Sequence, residues 1–204
     1  FAMVDKAVAL EKDLFTRNLA IGMVFRGFLD DVMTLVEGAH ERAKPDAKRH
    51  AGFHDAQLGE IETSLGAKEP FYPDLETASL PLSLTSLRQV AGADDSLVHL
   101  ALGNDAPEDV AARLIKGTHL SDPAQRLALW QGGLKAIEAS TDPLIVFARK
   151  LYPDYASLHD RMRDEVSAPL HKAQGDIARA RFAQARAKNR IDALYPDATF
   201  SPRL

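Results

Sequence analysis

The sequence predicts an all-α fold: an irregular helical bundle with two long helices, several short helices between them, and an extended segment at the C-terminal end. Three observations predict it. Apolar residues recur at spacings of three and four near both ends of the chain. Proline and glycine divide the middle into short pieces that begin with helix-start signals. The proline-rich stretch inside that middle carries no sheet pattern.

The first long helix is expected from Val4 to about Lys44, because Ile21, Phe25, Phe28, Val32, Leu35 and Ala39 form one stripe. Gly22, Gly27 and Gly38 interrupt it. Each costs up to about 1 kcal/mol relative to alanine, so close packing, or a bend near Gly22, is the expected reason for them. Ala43 to Gly52 reads as a connector, and His54 to Leu65 as a short helix ended by Gly66. Between Glu69 and Leu82, three prolines with Phe71, Tyr72 and Leu75 suggest an irregular segment that docks aromatic groups on the helices.

Short helices are then expected at Ser83–Val90, Ser96–Leu102, Pro107–Ile115, Pro123–Gln131 and Pro143–Leu151. Proline suits a first helical turn, and Asp122-Pro123 and Asp142-Pro143 add a capping carboxylate. The last long helix is expected from about Tyr155 to Ala193. Its stripe is Leu158, Met162, Val166, Leu170, Ala173, Ile177 and Ala180, with a kink at Pro169. The domain reading is a helical unit over 1–198 and the start of a strand over 199–204, whose unpaired edge suggests a chain cut from something longer.

The 204 residues are 46% apolar, enough for a real core, and a net charge of −4 lacks the basic excess of a nucleic-acid footprint. Neither nucleic acid nor membrane is an expected partner. No apolar run approaches the roughly 18 residues that span a bilayer, and the N-terminus does not read as a signal peptide. The absence of cysteine removes disulfides, thiolate zinc sites and cysteine nucleophiles.

No complete catalytic site is legible. His50 and His54 stand four apart and could share a helix face, a spacing a divalent metal can use, but no third ligand is in register. His40-Glu41 resembles the start of a zincin helix, yet position 44 holds lysine where that motif needs histidine. No serine sits in a Gly-x-Ser-x-Gly elbow or three residues before a lysine. Gly132-Gly133 reads as a helix break. Glu60 with Glu62, and Asp94 with Asp95, read as surface charges and caps. Trp130 reads as core, and Arg179, Arg181, Arg186 and Arg190 as a solvated helix face. The catalytic, cofactor and metal assignments are therefore none.

Local strings say more. Gly117-Thr118-His119-Leu120-Ser121-Asp122-Pro123-Ala124, Leu129-Trp130-Gln131-Gly132-Gly133 and Ala139-Ser140-Thr141-Asp142-Pro143-Leu144-Ile145 closely resemble the helical domain of one bacterial peptidase family. That family contains dipeptidyl-peptidases 7 and 11. Glu41 to Asp46, Ile177 to Ala183 and Tyr195 to Phe200 resemble it too, in the right order over nearly the whole chain.

The resemblance implies a serine exopeptidase with a chymotrypsin-like double β-barrel, into which a helical domain is inserted. That domain would cap the cleft, limit access to free peptide N-termini and help release dipeptides. The family's catalytic histidine and aspartate precede the insertion, and its serine follows it in a Gly-x-Ser-Gly-x-Pro context. None of these positions exists here, so no functional residue is carried over. Ser201-Pro202 departs from the pattern, where the family commonly has Thr-Leu in a strand returning to the barrel.

The expected partners are thus the β-barrels of the same polypeptide and a peptide substrate, in a periplasmic or secreted parent for which a homodimer is one open assembly. The fragment alone is expected to be inactive. The alternative is a non-enzymatic helical interaction domain that binds a partner helix along an exposed apolar stripe. A metal-binding bundle through His50 and His54 stands third.

Overall fold

The computed structural model describes residues 2–68 and 71–188, and every regular element among them is helical. The order is α1 (Ala2–Val24), α2 (Phe28–Arg42), a 3-10 turn (Asp46–Lys48), α3 (Asp55–Gly66), α4 (Pro73–Ala91), α5 (Ser96–Leu102), α6 (Pro107–Gly117), α7 (Pro123–Ala139), α8 (Pro143–Arg161), a π-helical segment (Met162–Ser167) and α9 (Ala168–Ala187). The all-α expectation holds. The extended segment and the boundary at 198/199 lie outside the described residues.

Four boundaries differ from expectation, one of them at α7, which runs past Gln131 to Ala139 across a kink at Gly133. The first apolar stripe belongs to two helices, because Gly27 adopts φ 56° and ψ −127° and stops the ladder there rather than at Gly22. The segment expected to be irregular up to Leu82 is helical from Pro73, and α4 runs through Pro81. Proline in a helix interior costs about 3 kcal/mol. Leu80, Leu84 and Leu87, all buried, pack this helix against α5 and α6 and outweigh that cost. Likewise α8 does not end at Leu151 but passes Pro153, with Leu151 and Leu158 buried on either side.

Irregularity appears where Pro169 predicts a kink. The Ala168 N–H donates to the Arg163 carbonyl, five residues back, so the π-turn widens the ladder just before the ring that would crowd it.

The chain divides into two compact units, Leu14–His159 and Phe1–Asp13 with Asp160–Leu204. In the larger unit α2 and α3 pack on α7, and α4 packs on α5 and α6. Its core holds Ile21, Val32, Leu35, Leu84, Leu120, Ile137, Leu144, Ile145 and Leu151, all essentially without solvent contact. In the smaller unit Ala7 and Val166 are buried, whereas α9 has no buried residue, and Ile177 and Phe182 are about half exposed (47% and 52%). The expected stripe is thus buried at Leu158 and Val166 and open along α9. Among the described residues no helix is long and apolar enough to cross a membrane.

Candidate functional site

The larger unit contains a buried carboxylate cluster, built where α2 meets the connector. Glu37 and Glu41 stand four apart and so share a face of α2. Both are buried, Glu41 completely. His50 reaches them from the connector, with Nδ1 at 3.0 Å from Glu37 Oε1 and 3.5 Å from Glu41 Oε1. The His50 backbone N–H donates to Glu41 Oε2 at 2.8 Å, and Lys44 Nζ donates to Glu41 Oε1 at 2.5 Å. The Tyr155 hydroxyl hydrogen-bonds Glu37, and burial together with the Glu37 and Asp30 charges holds that phenol well above its ordinary range. Tyr155 therefore stays a neutral donor.

One ligand atom from each of Glu37, Glu41 and His50 lies within 4.8 Å of the others, so a cation could be held by two carboxylates and an imidazole. Lysine, tyrosine and a backbone amide already serve those carboxylates. The chemistry the arrangement supports best is a self-compensating network that fixes the connector to α2.

His50 and His54 share no helix face: His54 is the residue before α3, and its Nδ1 lies 3.1 Å from the Asp46 carbonyl. The zincin-like start also resolves, because His40 stacks on Tyr152 with centroids 4.3 Å apart while Lys44 takes Glu41. Burial lowers the His40 pKa below its ordinary value.

Of the acidic pairs, Asp95 caps α5 through the Leu97 N–H and pairs with Arg17 at 2.9 Å. Glu62 accepts from Gln131, and Glu60 and Asp94 are exposed. Arg179 pairs with Asp176, Arg181 and Arg186 are exposed, and Arg190 lies outside the described residues. Trp130 is core, as expected. No motif in the sequence marks Glu37 or Tyr155; the available signal is the four-residue spacing of Glu37 and Glu41 inside an apolar helix.

A second feature is an open cleft of about 460 Å3 between the start of α7, its C-terminal turn and the start of α8. Asp142 organises its wall. Its carboxylate accepts from the Thr118 hydroxyl at 3.0 Å, the His119 N–H at 2.8 Å and the Leu144 N–H at 3.0 Å. Gly117 is required by space, since a Cβ there would lie 2.7 Å from Pro143 Cγ. On α7, Gly133 breaks the helix with φ 59°. One turn earlier the Trp130 carbonyl accepts from Arg42 at 2.6 Å, with the guanidinium 4.4 Å from the indole centre. Of the three sequence strings quoted above, the first and third interlock through Thr118 and Asp142, and the second brings Leu129 to the same cleft.

The sequence pattern of the Peptidase S46 family matches residues 1–204. The chain belongs to the Peptidase S46 family. This S46 chain is 28% identical over 174 residues to an Asp/Glu-specific dipeptidyl-peptidase of Shewanella putrefaciens, a match that covers 81% of the chain and 23% of the relative. The S46 chain thus spans about a quarter of the length of that curated relative. The dipeptidyl-peptidase resemblance stands at the level of the family, and among the described residues every regular element of this S46 chain is helical.

Proposed function

We propose that this chain is the helical cap of a serine dipeptidyl aminopeptidase, which positions peptide substrates and gates the cleft while β-barrels elsewhere in the same polypeptide perform the hydrolysis. The observation that carries the reading is the combination of a whole-chain family match with a segment that is helical throughout its described residues and aligns with only 23% of a dipeptidyl-peptidase. A cap of this kind acts by ordering the substrate at the reacting centre and shielding it from bulk water. The parent is then periplasmic or secreted. The open apolar residues Ile177 and Phe182 of α9 support contact with another body, and this reading assigns that body to the barrels.

The test is amide hydrogen exchange on the parent polypeptide before and after an active-site-directed dipeptidyl inhibitor is attached. The cap reading expects amides within 14–159 to gain protection along with the barrels. Protection confined to the barrels contradicts it and favours an interaction domain with a different partner.

A further inference from the structure

The break between α1 and α2 forms one wall of a second cavity, of about 280 Å3. A Cβ on Gly27 would meet nothing within 4 Å, so the backbone angle, and not lack of space, demands glycine there. Val24 and Leu29 bring buried apolar groups to this wall. The other wall is α4, where Glu76, Ser79, Leu80 and Ser83 share a face at helical spacing. Beside them Leu75 is 60% exposed.

Arg26 and Glu76 both line this cavity, and among the described residues neither side chain has an ion pair or hydrogen bond. Arg26 is exposed and Glu76 half-buried, and two unlike charges that border one cavity without meeting leave each able to exchange water for a ligand group. Burial raises the Glu76 pKa above its ordinary value, the state of a carboxylate that has lost water without gaining a cation. The Ser79 hydroxyl donates to the Glu76 carbonyl at 3.4 Å and keeps its lone pairs to accept, while the Ser83 hydroxyl can donate or accept.

A lone anion would satisfy Arg26 and leave Glu76 unmet; a lone cation does the reverse. Only a ligand with both charges and a short polar span between them satisfies the set. The volume lies just below the range of drug-sized ligand sites, about 300 to 1,000 Å3, and so suits a small ligand.

We propose that this groove binds a free dipeptide, with its ammonium on Glu76, its carboxylate on Arg26, its peptide link beside Ser79 and Ser83, and a side chain against Leu75 and Leu80. The proposal rests on the dipeptidyl-peptidase relation, which makes dipeptides the chemistry at hand, and not on the capping role. A hydrolytically active fragment would remove the cap reading and leave the groove intact.

The experiment is an NMR titration of the 204-residue chain with alanyl-leucine, N-acetyl-alanyl-leucine and alanyl-leucine amide. Saturable shifts at Gly27, Ser79 and Ser83 are expected with the free dipeptide, and each capped form should bind at least about tenfold more weakly, the loss of one charged hydrogen bond. In Glu76→Gln the free and N-acetylated forms should bind alike, and in Arg26→Gln the free and amidated forms should bind alike. A role confined to holding the fold would not produce that split. No saturable shift up to about 10 mM, or equal binding of all three ligands by the unaltered chain, overturns the proposal, and neither outcome depends on a variant folding.

Discussion

Arg126 donates from Nε to the carbonyl of Leu65 at 2.8 Å, across 61 residues of sequence. The same guanidinium donates to Leu120 at 2.6 Å and Ala67 at 2.7 Å, so a buried cation is satisfied by three backbone carbonyls at the end of α3 and in the turn before α7. Arg126→Ala leaves those carbonyls without a donor and opens a cavity. A loss of about 3 kcal/mol or more is expected in urea unfolding. Arg126→Lys should recover less than half of it, because an ammonium on a flexible stem cannot reproduce the planar fork.

Two glycines in helix interiors should respond with opposite signs. A Cβ on Gly38 would lie 2.5 Å from Trp130 Cζ3, whereas one on Gly22 would meet nothing within 4 Å. Gly38→Ala should destabilise by about 1–3 kcal/mol through overpacking. Gly22→Ala should stabilise by up to about 1 kcal/mol. Thermal unfolding of the two variants against the unaltered chain reads both.

The stacked His40 gives a pH dependence. Burial lowers its folded pKa below 6.5, so between the two values the unfolded state binds more protons. The stability it contributes is present above about 6.5 and is lost as the pH falls through the folded value. The melting temperature should therefore fall more steeply on acidification from pH 7 to 5 in the unaltered chain than in His40→Gln, and equal slopes would remove His40 as a source.

How much of this was legible beforehand follows from what each signal measures. Local chemistry was read well: Asp122 caps α7 through the Ala124 N–H, Asp142 caps α8, and Gly133 breaks α7. Tertiary packing was not. Pro81 and Pro153 carry a local message to stop that the buried leucines around them override. Gly27 and Gly22 look alike in sequence, and only the backbone angle tells them apart. The Glu37 and Tyr155 contact joins residues more than a hundred positions apart, so no spacing rule reaches it. The family strings are legible as strings, whereas the interlock of Thr118 with Asp142 across 24 residues is seen only in the fold.

The proposed division of labour, a helical cap with hydrolysis performed elsewhere in its polypeptide, is tested most directly by assaying fluorogenic dipeptidyl substrates with the purified 204-residue chain beside its full parent. Hydrolysis by the parent, abolished by a serine-directed reagent, is expected, and none above background by the chain. Reagent-sensitive hydrolysis by the chain alone would contradict that division.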